Sequence, residues 1–420
     1  MRKILFFVVL VLFYLTGSLF AQRDPGVYGS MGTAVLTDEQ GNRRLYNQLS
    51  IQPEFTLGKI GIGLNLVLYF DEEGNLRESD WNDWSDIPEK ILYIKYGEKR
   101  DPVYVYIGGT FGMTLGHGII FDDYSNMLQY PDVKNIALAF DLDFGMTGFE
   151  TITTNIKRLE VVGGRAYYRP LYNSDMPLLS KLAIGVSAGM DVDPDNDETT
   201  KNDKVAVVGA DVDVPVIETD ALSVITYFDI AQMDLGSVYT NAGSKNNGMG
   251  YAPGVMGKFL IFNYRAEYRR LQNNFYYGYF DVFYEVNRSS KPWSISSAEE
   301  PWREGPYFEL GYNLLGKIDV MASYEDISPD TYQENPKIHA ELSIDKSLFL
   351  NKMFLNFTYD KKNAETWDDV MSLEGPNTIM VTELGYSMGG NLMLVITEKK
   401  TFDAFGKSLK TTTMEMRFQF

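Results

Sequence analysis

Thr411-Thr412-Thr413-Met414-Glu415-Met416-Arg417-Phe418-Gln419-Phe420 divides its side chains between two chemistries with a period of two. Thr412, Met414, Met416, Phe418 and Phe420 share one face; Thr413, Glu415, Arg417 and Gln419 share the other. Successive side chains of an extended chain point to opposite sides, so the stretch reads as a strand with one oily and one wet face.

The same alternation recurs upstream. Ile338, Ala340, Leu342 and Ile344 interleave with His339, Glu341, Ser343 and Asp345, and Ile318, Val320, Ala322 and Tyr324 with Asp319, Met321, Ser323 and Glu325. Phe308, Leu310, Tyr312 and Leu314 alternate with Glu309, Gly311 and Asn313; Val208, Ala210, Val212 and Val214 with Gly209, Asp211 and Asp213; Tyr264, Ala266 and Tyr268 with Arg265, Glu267 and Arg269. Residues 103–114 and 392–398 mix the faces. Short turns at Gly58-Lys59, Gly145-Met146, Gly316-Lys317 and Gly389-Gly390-Asn391 join neighbouring strands. Most of the connections between them are longer and acidic: 71–88, 115–135, 191–203, 234–250, 272–305 and 363–376.

Counted at roughly 9–11 residues per strand, the pattern predicts about 20 strands, with 18 to 22 as the range. They begin near Tyr28, Arg44, Ile60, Lys90, Val103, Ile136, Gly148, Arg158, Leu178, Lys204, Ala221, Tyr251, Phe262, Pro306, Ile318, Lys337, Met353, Asn377, Leu392 and Lys410. The expected fold is all-β: a transmembrane antiparallel β-barrel with short periplasmic turns and long extracellular loops. In hydrocarbon every backbone N–H and C=O must be paired, and a closed sheet has no edge. A secreted sandwich, propeller or β-helix also alternates, but does not explain the long and short links.

Composition agrees. The chain has 420 residues, 45% hydrophobic and 23% charged, with 28 Tyr and 25 Phe, a profile suited to strands and membrane interfaces. Its formal charge of −19 argues against nucleic acid, whose phosphates need a basic face. No cysteine is present, which excludes disulfides, thiolate metal sites and Cys nucleophiles. No nucleotide loop or cofactor motif is present, and no enzymatic activity is expected. At the start, Arg2 and Lys3 precede the apolar run Ile4 to Leu15 and a cleavage-like Gly17-Ser18-Leu19-Phe20-Ala21, so 1–21 reads as a cleaved signal peptide and 22–420 as one barrel domain.

With the signal at Met1–Ala21, the alternating strands and the closing Met416-Arg417-Phe418-Gln419-Phe420, the chain resembles bacterial outer-membrane β-barrel proteins, porin-like in architecture, with no motif of a particular named family. The resemblance implies the outer membrane of a diderm bacterium, contact with its lipid, and recognition of a signature carried by Phe418 and Phe420 by the barrel-assembly machinery. It leaves open whether subunits associate into a homo-oligomer.

The expected function is a channel for small polar solutes or ions. Arg265, Glu267, Arg269, Glu309, Asp319, Glu325, Glu341, Asp360, Glu383, Glu415 and Arg417 would line the pore, the acidic excess favouring cations. A structural cross-lumen network is the alternative reading of the same charges. The 272–305 connection carries Tyr276, Tyr277, Tyr279, Phe280, Asp281, Phe283 and Tyr284, too many rings for a solvated tip; it is expected to fold inward and constrict the lumen, an extra hairpin being the alternative. Residues 116–131, with Asp122, Asp123 and Tyr124, form a second candidate inward loop. Asp191, Asp193, Asp195 and Asp197 concentrate hard oxygen ligands, read either as a weak cation site or as a solvated acidic tip. His117 and His339 are the chain's two histidines, the candidate general bases of a barrel hydrolase. A non-transporting structural or surface-binding barrel is the other functional alternative.

Overall fold

The computed structural model describes residues 27–37, 43–83, 87, 90–99, 101–110, 112–127, 135–197, 199–239, 247–272, 274–296, 302–330, 335–364, 366–372, 375, 377–389, 392–402 and 408–419. The expected signal peptide and Phe420 lie outside them. Each strand pairs antiparallel with its sequence neighbour in one continuous sheet. Of its 21 segments, Ile60–Leu64 and Leu66–Phe70 are halves of a single strand interrupted at Asn65, leaving 20 strands. The amide oxygen of Asn65 accepts hydrogen bonds from Ser50 and Gln52 at the break.

The sheet closes on itself. Val27–Thr37 pairs with Ser408–Gln419 over Tyr28↔Gln419 to Met31↔Met416, which closes the ring of strands among the described residues. Strands begin within a few residues of their sequence-based positions, with a few displaced for visible reasons. Leu179–Lys181 forms a 3₁₀ turn, so the next strand starts at Ala183. Trp302 pairs with Gln272, so the strand read from Pro306 starts four residues sooner, at Trp302.

Side-chain exposure follows the period of two. In Leu222–Leu235, Tyr227, Asp229, Ala231, Met233 and Leu235 are buried, while Phe228 and Ile230 are exposed. In Trp302–Leu314, Phe308 and Leu310 are exposed, and Arg303 and Tyr307 are buried. The exterior thus carries Val186, Val208, Phe228, Tyr268, Phe308, Leu310 and Met414. The interior departs from a simply polar lumen: on Val205–Glu218 the inward row runs Val205, Val207, Gly209, Asp211, Asp213, apolar at the long-loop end and acidic deeper in. That apolar end seats two inserted loops.

Candidate functional site

The loops enter from the long-connection end. Residues 112–127 follow Val103–Gly108, and 274–296, with short helices at Tyr284–Asn287 and Lys291–Ser296, follow Phe262–Gln272. They are joined by backbone: Gly278 N–H donates to Ile119 O, Phe280 N–H to Ile120 O and Asp122 N–H to Phe280 O, at 3.0–3.1 Å. Phe121 and Phe280 stack at 4.3 Å between centroids, and Tyr279 and Tyr284 pack edge-on against Phe280. These rings, with Tyr124, Phe275 and Ile295, form one dry cluster with Val205, Val207, Ala231, Met233, Leu235 and Ala252 of the wall.

Glycines on the wall make the seat. A Cβ on Gly163 would lie 2.4 Å from Phe121, and one on Gly250 would lie 2.3 Å from Phe275. Charged groups bolt the loops down. Arg288 donates to both oxygens of Asp191 at 2.7 and 2.8 Å and to Glu160 at 2.9 Å, while Tyr284 O–H donates to Asp191 at 2.6 Å. Arg303 donates to Phe275 O at 2.8 Å.

His117 sits between two carboxylates: Nδ1 donates to Asp229 at 2.8 Å, Nε2 lies 2.8 Å from Asp213, and the ring stacks on Tyr227 at 4.0 Å. Burial alone pulls this imidazole's pKa down, but Asp213 and Asp229 outweigh it and hold it up at about 9. Its carbonyl accepts from Arg265.

Arg265, Glu267 and Arg269 form one network. Glu267 accepts from Tyr227, from Arg265 and, at 2.7 Å, from Arg269. Arg269 also donates to Glu325, and its guanidinium lies 3.5 Å from the Tyr277 centroid and 3.9 Å from that of Tyr307. Lys337 completes the cluster 2.9 Å from Glu325. These charges are spent on one another along neighbouring strands and on the inserted tyrosines.

Beside the loops a cavity of about 360 Å³ remains. The inserted loops supply Asp122, Asp123, Tyr277, Asp281 and Phe283; the wall supplies Arg265, Arg269, Glu309, Glu325, Lys337, His339, Asp360 and Lys362. Glu309 accepts from Tyr307 at 2.8 Å. Lys291 and Lys337 sit 4.2 and 4.3 Å from the Tyr276 centroid, and Lys362 donates to its hydroxyl at 3.2 Å. Asp281 lies 3.0 Å from Lys291 and 3.5 Å from Lys362. His339 Nδ1 is 2.7 Å from Asp360, and Nε2 is 3.5 Å from Glu341.

Other sequence-proposed residues lie elsewhere. Asp319 sits near a tight turn and accepts from Asn313. Glu383, Glu415 and Arg417 form a separate cluster, with Arg417 2.7 Å from Glu383 and 3.2 Å from Glu415. Phe418 is in the closing strand, opposite Leu392. The acidic quartet does not act as one group: Asp191 turns inward to Arg288, while ligand atoms of Asp193 and Asp195 approach Asp203 to within 4.8 Å. Asp197 accepts from the backbone and hydroxyl of Thr199.

Sequence reasoning passed over Arg165, Asp229, Arg288, Lys337 and Lys362. Asp229, one carboxylate in the alternation Tyr227-Phe228-Asp229-Ile230, was the legible signal. Arg165, bonded to Asp211 at 3.0 Å, had no such pattern around it.

Among solved structures the chain is similar to OpdL of Pseudomonas aeruginosa, with a TM-score of 0.35 at 9% identity over 94% of this chain and 99% of that one. It is similar also to the outer membrane protein OprD of Pseudomonas aeruginosa (0.34, 9%, 94% and 92%) and to OccK2 (OpdF) of the same organism, solved in complex with glucuronate (0.33, 10%, 94% and 96%). No family model and no curated protein matches the chain.

Proposed function

We propose that the chain is exported by its N-terminal signal, resides in the outer membrane of a diderm bacterium, and passes small polar solutes or ions through the cavity beside its inserted loops. One observation carries this reading: a sheet without an edge turns its apolar side chains outward and keeps a cavity lined by charges of both signs within. Side chains such as Phe308 and Leu310, ranked around a closed barrel, suit acyl chains. Bound solutes would exchange hydration for the Lys, Arg, Asp and Glu groups of the cavity, a mechanism of charge-lined pores.

Single-channel recording in planar bilayers tests it. Discrete conductance steps are expected from the purified barrel, and they should grow several-fold when residues 274–296 are replaced by a short Gly/Ser link. Silence from both proteins, each shown to be folded by its heat-dependent gel shift, would sink the channel reading. The density of the aromatic cluster and its mutually paired charges favours a second reading, a structural barrel that does not conduct; silence from the native barrel alone would favour it.

A further inference from the structure

We propose that Asp123, His339 and Asp360 bind a divalent metal ion of the zinc class, which clips the inserted loop 112–127 to the barrel wall. His339 and Asp360 are directly paired on adjacent strands, so their side chains leave the same face. Asp123 reaches them from the loop, its Oδ2 3.9 Å from His339 Nδ1. One ligand atom from each residue lies within 4.8 Å of the others. Bonds of about 2.0–2.2 Å to a tetrahedral ion place ligands roughly 3.4 Å apart, so modest side-chain rotation closes the set.

A second feature points to a ligand. Asp360 is 3% exposed, yet its Oδ2 has no hydrogen-bond partner. His339 Nε2 faces Glu341 at 3.5 Å, which leaves Nδ1 as the ring atom turned toward Asp360 and Asp123. Buried carboxylate oxygens are ordinarily paired, and both residues line the cavity that Asp123 also faces. An imidazole with two carboxylates suits zinc and similar transition ions, whereas calcium and magnesium favour oxygen alone. Binding through Nδ1 would displace its proton from the bond to Asp360 and leave Glu341, 3.5 Å from Nε2, to orient the ring. Asp123 is held ready by its own N–H, which donates to Thr114 Oγ1 at 3.0 Å.

The alternative is a plain ion cluster around a protonated His339. Equilibrium dialysis of the chelator-stripped, detergent-solubilised full chain against Zn²⁺ separates the two. The native protein is expected to hold one Zn²⁺ at this site, with affinity falling at least about tenfold in Asp123→Asn and in His339→Gln. Asp345→Asn, in the turn that follows Ile344, should leave that affinity unchanged. Zn²⁺ should also slow proteolysis within 112–127 in the native chain and not in Asp123→Asn. Absence of binding to the native protein, or equal binding by Asp123→Asn, overturns the proposal. Asp123 lies outside every strand, so that variant remains a fair test even where His339→Gln fails to fold. The measurement is of binding alone and stands apart from conductance.

Discussion

At the scale of single residues, the interior is set by positions where nothing larger or less charged fits. Gly163→Val would drive a side chain into Phe121. Overpacking of this kind costs about 1–3 kcal/mol, and the rings it displaces belong to a loop, not to the ladder. The expected outcome is faster cleavage of residues 112–127 in limited proteolysis with an unchanged β-sheet circular dichroism spectrum; cleavage at the native rate would contradict it. Arg269 is the opposite case. It is buried between Glu267 and Glu325, and removing one member of such a cluster strands the others. Arg269→Ala should lower stability by about 3–5 kcal/mol, read from urea unfolding in lipid vesicles, and Arg269→Ala with Glu267→Ala should recover part of the loss. Both arginines of this network were legible as inward residues from alternation alone. Their partners on the inserted loops were not, because period two assigns a face and says nothing of what faces it.

At the scale of elements, the aromatic content of 274–296 announced a packed loop, and its position inside the wall accounts for that content. The attachment of the other inserted loop, 112–127, carries a pH dependence. His117, held at about 9 by Asp213 and Asp229 against burial, has a folded-state pKa above its ordinary 6.5. The stability it lends the loop is therefore complete below about pH 6.5 and is lost as pH rises through about 9. Hydrogen exchange of residues 112–127 should quicken between pH 7 and pH 10 beyond the intrinsic chemical rate, and His117→Gln should abolish the excess. Identical excess exchange in the variant would remove His117 from the account. The acidic loop shows where local reading stopped. Asp191 and Asp193 stand two residues apart, yet Asp191 is bonded to Arg288, whose approach depends on the inserted helix.

For the whole molecule, closure sorts side chains by solvent, and substitution by arginine maps the sorting. Phe308 is mid-strand and faces outward, while Leu315, 84% exposed, occupies a tight turn at the end of the same strand. If acyl chains surround the barrel, Phe308→Arg should cost about 2–4 kcal/mol and Leu315→Arg about 0–1 kcal/mol in vesicle refolding. Equal costs would deny the barrel a hydrocarbon belt at that height.

Strand number, register face and the alternation of short and long links were determined by the sequence itself, because a half-wet sheet writes its two environments directly into every second residue. The seat of the loops was decided only by tertiary structure. Val205 and Val207 face inward although Val208 and Ala210 face outward, and local chemistry does not distinguish a dry lumen from lipid. The same holds for the cavity: Asp123, His339 and Asp360 are separated by long stretches of chain and meet because the strands are paired and one loop is folded in. Alternation is a property of neighbours along the chain, whereas a site depends on distances that exist only after the sheet has closed.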